Sequence, residues 1–149
     1  MKFITSIFLI FLISTTVLKA SQTQMLLDKL ATASSADVAQ TIIIDIQEAW
    51  INSHSDQTEK LLMSKALSAM NKGNLEKAER ELTTLIKKNP NFVEAWNKRA
   101  TVRFFNGDLS GSETDVFEVL SREPRHFGAI SGLASVSYTH LRAHETKRN

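Results

Sequence analysis

No cysteine occurs in the 149 residues. That excludes disulfides, thiolate metal sites and cysteine nucleophiles together, and it is compatible with an oxidising compartment. Glycine is scarce and dispersed, at Gly73, Gly107, Gly111, Gly128 and Gly132. No glycine-rich loop precedes a helix, so the chain offers no cradle for a phosphate. Serine is plentiful, but none falls in a strained strand–turn–helix context. His54 and His126 fall in expected interhelix turns, where we expect solvated rings. A nucleophile, base and orienting acid are therefore not brought together. Glu79 and Glu81 point to different helix faces and make no acid/base pair. The expectation is a protein without catalysis, cofactor or metal.

Proline is scarcer still, and its placement is informative. Pro90 and Pro124 lie 34 residues apart, as do Gly73 and Gly107. A shift of 34 also sets Leu62 on Trp96, Ala66 on Ala100, Asn74 on Asp108, Ala78 on Ser112, Leu82 on Val116 and Ile86 on Leu120. Between Glu59 and Lys72 the apolar residues Leu62, Ala66, Ala69 and Met70 fall at helical spacing. Gly73 then suits a left-handed helix terminus, and Asn74 suits the N-cap of the next helix. That second helix runs from Leu75 to Lys88, and Pro90 prevents its continuation. The second copy repeats this over Val93 to Asn106, Leu109 to Arg122 and Pro124. Small residues at Ala66, Ala78, Ala100 and Ser112 let paired helices approach closely. Neither pair can bury its apolar stripe alone, so neighbours must stack.

These residues resemble the tetratricopeptide repeat family. The resemblance rests on Leu62 and Trp96, Ala66 and Ala100, the Gly-Asn and Gly-Asp turns, Ala78 and Ser112, and the closing prolines. Lys65, Arg99, Ala69 and Arg103 depart from the family pattern. The implied fold is all-α: an antiparallel helix-hairpin repeat solenoid, wound as a right-handed superhelix. Its concave groove, lined by the first helix of each pair, would hold a partner peptide or protein segment. By that pattern the groove residues are Lys60, Met63, Leu67 and Met70 in one unit and Glu94, Asn97, Thr101, Phe104 and Phe105 in the next. Lys98, Arg99 and Arg103 read as a solvated, salt-bridged helix face, since Glu94 lies one turn before Lys98.

In chain order, residues 1–20 read as a secretory signal peptide: Lys2, an almost wholly apolar run from Phe3 to Leu18, and a small Ala20. The run is short for a membrane span. The expected location is periplasmic or secreted, with an inner-membrane anchor as the alternative. Residues 21–56 form a divergent helix pair expected to cap the array, its second helix spanning Ser34 to Ser53 from a Ser34–Asp37 capping box. Val38, Ile42, Ile46, Ala49 and Trp50 mark that helix's buried face. Residues 57–135 hold the repeats, at 59–92 and 93–126, with a partial third from 127. Val136 to Thr146 resembles one translated frame of a transposase sequencing adapter, so residues 136–149 are expected to be non-native and the array truncated. His140, His144 and Glu145 have metal-ligand spacing but belong to that tail, and no metal is expected there.

Charge supports this division. The whole chain carries 18 Lys and Arg against 16 Asp and Glu. The leader and tail hold five of those cations (Lys2, Lys19, Arg142, Lys147, Arg148) and one of those anions (Glu145), leaving 13 against 15. The basic surplus therefore gives no reason to expect nucleic acid. The expected function is a non-catalytic scaffold for protein or peptide partners, touching membrane only through an uncleaved leader. The alternatives are a membrane-tethered assembly scaffold and an accessory domain of a longer enzyme.

Overall fold

The computed structural model describes residues 22–52 and 56–148. The leader and the His54 turn lie outside the described residues. The chain divides into two compact units, Met1–Ser53 and His54–Asn149. Among the described residues all regular structure is helical, and no helix is long and apolar enough to cross a membrane.

The first unit contains α1 (22–31) and α2 (Ala36–Ile51). Ser35, not Ser34, caps α2, accepting a hydrogen bond from the Val38 amide. The expected helix was thus too long at both ends. Ile46 and Trp50 are buried as expected, but Val38 is 44% exposed and does not belong to the buried face.

The second unit contains α3 (Gln57–Asn71), α4 (Leu75–Lys88), α5 (Val93–Phe105), α6 (Leu109–Arg122) and α7 (Phe127–Arg148). Each packs on the next along the chain, and α5 also touches α7. This is an all-helical stack of repeated hairpins. Its turns follow from backbone chemistry. Gly73 and Gly107 adopt φ of +70° and +82°, and nothing stands within 4 Å of where a Cβ would lie. Glycine is needed there for its backbone conformation, which other residues adopt only at a cost of about 1–2 kcal/mol. Each glycine lets the next amide reach back into the finished helix: Asn74 N to Ala69 O and Asp108 N to Arg103 O, both 2.9 Å. Asn74 and Asp108 then cap the following helices through the amides of Lys77 and Gly111.

The expected close approaches are present. Ala66 and Ala78 are fully buried, and Ser112, nearly so, donates its hydroxyl to Ala100 O at 2.8 Å. Ala100, Val116, Val119 and Ala129 form a buried cluster with Val93, Trp96, Leu120 and Leu133 packed around it. Trp96 is only half-buried. Its indole Nε1 donates to Pro90 O at 2.9 Å, and the guanidinium groups of Arg99 and Arg122 lie 5.0 and 5.4 Å from its ring centre. It packs beside the core rather than within it. Helix α7 continues through the adapter-like stretch, where Val136 is buried.

Candidate functional site

Four of the expected groove residues come together. Asn97, Thr101, Phe104 and Phe105 share one face of α5 and line a cavity of about 230 Å³. Ser112 and Val116 contribute from α6, and Gly128, Ser131, Gly132 and Ser135 form the wall on α7. The α7 wall is made only of glycine and serine, which is what leaves room between it and the phenylalanines of α5. Phe104 and Phe105 meet edge-to-face, with ring centres 5.7 Å apart, and Phe105 is 68% exposed at the rim. Such a pair offers a partner apolar area at little conformational cost.

The other five candidates lie elsewhere. Lys60 is exposed on α3, while Leu67 and Met70 are half-buried there. Met63 and Glu94 are buried, and neither presents a surface to a partner. The reason is local in each case. Met63 joins the buried side of α3 with Ala66 and Ala69. Glu94 is the centre of a polar cluster: Lys98 Nζ lies 2.9 Å from Oε1, Asn97 Nδ2 3.2 Å from both carboxylate oxygens, and His126 Nε2 3.0 Å from Oε2.

His126 is therefore not the solvated turn residue that its position implied; it is 1% exposed. Its Nδ1 accepts a hydrogen bond from the Ala129 amide at 3.1 Å, which caps α7. With Nδ1 as acceptor, the proton sits on Nε2 and is donated to Glu94. One imidazole thus starts α7 and ties it to α5. Burial alone would raise the Glu94 carboxyl, but the hydrogen bond from His126 and the charge of Lys98 outweigh it and hold the group below its ordinary value. Gly128, in the next turn, packs near both partners: a Cβ there would meet His126 Cε1 at 3.3 Å and Asn97 Nδ2 at 3.5 Å.

The basic strip on α5 is likewise salt-bridged but not solvated. Arg99 makes a two-pronged contact with Asp115, Nε to Oδ2 at 2.9 Å and Nη2 to Oδ1 at 2.8 Å, and reaches Thr83 of the preceding hairpin. Arg103 joins Glu79 of α4 at 2.8 Å to Asp115 of α6 at 3.1 Å. These two residues connect successive hairpins through charge and hydrogen bonds.

Sequence reasoning missed the α7 wall, although the period contained it. Ser131 and Ser135 stand 34 residues after Asn97 and Thr101. Nothing in the spacing marked His126 as buried, because its partner Glu94 lies 32 residues away on another helix.

Comparison with known proteins gives one relative of weight. Over 100 residues, 67% of this chain, it is 38% identical to a tetratricopeptide-repeat-containing protein of Rhizobium etli. The chain spans about half of that relative, 48% of its length. No family model matches the chain, and no solved structure matches it. The stacked hairpins, the in-phase turns and this relative together place the chain in the tetratricopeptide repeat family.

Proposed function

We propose that this chain is a scaffold that binds a segment of a protein partner in the cavity between α5 and α7, without chemistry of its own. The observation that carries the reading is the convergence of Asn97, Thr101, Phe104 and Phe105 on one open cavity opposite a wall of glycine and serine. Its shape suits an extended segment that inserts one apolar side chain beside Phe104. Thr101 donates its hydroxyl to Asn97 O within the helix, so the lone pairs of its oxygen face outward as acceptors. Asn97 spends its amide donor on Glu94 and keeps its carbonyl oxygen as a further acceptor for partner N–H groups.

The test is site-specific crosslinking from a photoreactive residue at Phe105, with the same residue at exposed Arg80 as control. A discrete partner captured from Phe105 and lost on Phe104→Ser supports the reading. Equal capture from both positions overturns it. The leader pattern supports export as the setting, and mass spectrometry of the mature N-terminus checks it: a chain beginning near Ser21 is the expected product.

A further inference from the structure

The hydrogen bonds already made around the α5–α7 cavity decide which groups can still bond there. Thr101, Ser112 and Ser135 each donate a hydroxyl proton to a helix carbonyl: Asn97 O at 3.1 Å, Ala100 O at 2.8 Å and Ser131 O at 3.0 Å. A carbonyl has no proton to return, so the three hydroxyl oxygens are left with lone pairs only. Asn97 is committed in the same way. Its Nδ2 lies 3.2 Å from both oxygens of Glu94, and a carboxylate only accepts. The end of that amide left for a ligand is Oδ1, and donation to a charged group strengthens it as an acceptor in turn. Among the described residues only Ser131, of the polar side chains lining the cavity, keeps its hydroxyl proton uncommitted, and no Lys, Arg, Asp or Glu lines it.

The repeat explains why the space exists. Gly128 and Gly132 of α7 stand 34 residues after Glu94 and Lys98 of α5. At the α5 level those two positions carry an ion pair, Lys98 Nζ to Glu94 Oε1 at 2.9 Å. At the α7 level both stems are missing. A Cβ added at Gly132 would first meet Val116 Cγ2, on the cavity floor, at 3.6 Å. That position points into the cavity, and the phenylalanine pair of α5 closes the opposite side.

Building on the scaffold function set out above, we propose that the cavity receives a basic side chain of the partner segment, arginine or lysine. Its stem lies beside Phe104, and its head group sits on the oxygens of Asn97, Thr101 and Ser135. Guanidinium and ammonium groups carry donors and no acceptor, which matches a lining that mostly accepts. Aromatic rings attract a cation, and exposed Phe105 marks the rim, where the head group stays partly in water and avoids the cost of full desolvation. A carboxylate finds no cation in the lining and, from its side chains, only the Ser131 proton. A neutral amide brings an oxygen that the lining leaves unmatched. The charge of the repeats agrees: residues 21–135 carry 13 cations against 15 anions.

The test titrates the full chain with blocked glycine-serine pentapeptides that differ only at the central residue: arginine, lysine, norleucine, citrulline or glutamate. Norleucine keeps the stem of lysine without its head, and citrulline keeps the shape of arginine while replacing a donor by an acceptor. The arginine and lysine peptides are expected to bind about tenfold more tightly than the norleucine peptide, shifting the amides of Gly128, Ser131 and Gly132. The citrulline peptide should bind more weakly than the arginine one. Thr101→Val keeps the shape and removes one acceptor, so it should weaken the arginine peptide about fivefold and leave the norleucine peptide unchanged. Gly132→Leu fills the cavity and should abolish binding of every peptide while circular dichroism stays unchanged. Norleucine binding as tight as arginine overturns the proposal and leaves the scaffold function standing, and preference for glutamate does the same. Absence of shifts with both basic peptides also overturns it, and capture from Phe105 then reports separately on the scaffold function.

Discussion

At the scale of single residues, buried polar groups govern the second unit. Asp115 is fully buried and neutralises two guanidinium groups, so its loss strands both in a low-dielectric site. Breaking a buried pair from one side typically costs about 3–5 kcal/mol. Asp115→Ala is expected to fall in that range by chemical denaturation, and Arg103→Ala well below it, because Arg103 is the more exposed partner. Glu94 makes stability depend on acid. Its folded carboxyl titrates below its ordinary value, so its contribution is complete above the unfolded value, about 4.3. That contribution disappears as pH falls through the folded value. Stability should therefore decline on acidification below about pH 4.3, and Glu94→Gln should flatten the decline; melting curves across that range measure both. Neither role was legible in the sequence. A lysine four residues on marks Glu94 as a surface residue, and only the fold brings His126 to its other side.

At the scale of helices, termini matter more than interiors. Asn74 and Asp108 each satisfy an amide that would otherwise lack a helical partner. Replacing either by alanine should cost about 1 kcal/mol, read as a lower denaturation midpoint. Gly111 makes a sharper test. Glycine inside a helix costs about 1 kcal/mol relative to alanine, so Gly111→Ala in α6 would ordinarily stabilise. Here a Cβ would stand 2.0 Å from Oδ2 of the Asp108 carboxylate, whose Oδ1 caps the same helix. The carboxylate must swing away, and losing the cap cancels the gain in propensity. Gly111→Ala is expected to leave the midpoint within about 0.5 kcal/mol of wild type, and the Asp108→Ala, Gly111→Ala double substitution should exceed Asp108→Ala alone. The helices themselves were readable: α4 and α6 begin and end where glycine, Asn/Asp and proline set them. Helix α2 was misread because Ser34 and Ser35 are equivalent as caps until backbone geometry selects one.

At the scale of the whole molecule, the 34-residue period made the stack visible before any coordinates, since it fixes which side chains share a level. The cavity was half-visible, through its α5 side, because family pattern and period agree there. The α7 wall escaped notice because serine and glycine carry no signal by themselves. Trp96 shows the limit of the pattern: the large residue shared by the two copies leans on the core under two arginines rather than lying within it. Trp96→Ala should therefore cost about 3 kcal/mol, the low end for removing a large aromatic. Against the 5–15 kcal/mol typical of a small domain, that is a fall in melting temperature of about 10–20 °C, checked by calorimetry.

The bridge from Glu79 to Arg103 gives the two hairpins different prospects as building blocks. The 93–126 hairpin carries Arg103 on its leading side and, at the register of Glu79, Glu113 on its trailing side. Copies of it placed end to end would each offer an acid to the next copy's base, so a designed polymer of that hairpin could propagate. The 59–92 hairpin carries Glu79 but only Ala69 to receive it. A polymer of that unit would lack the joint, and the first block to try in a synthetic array is the second one.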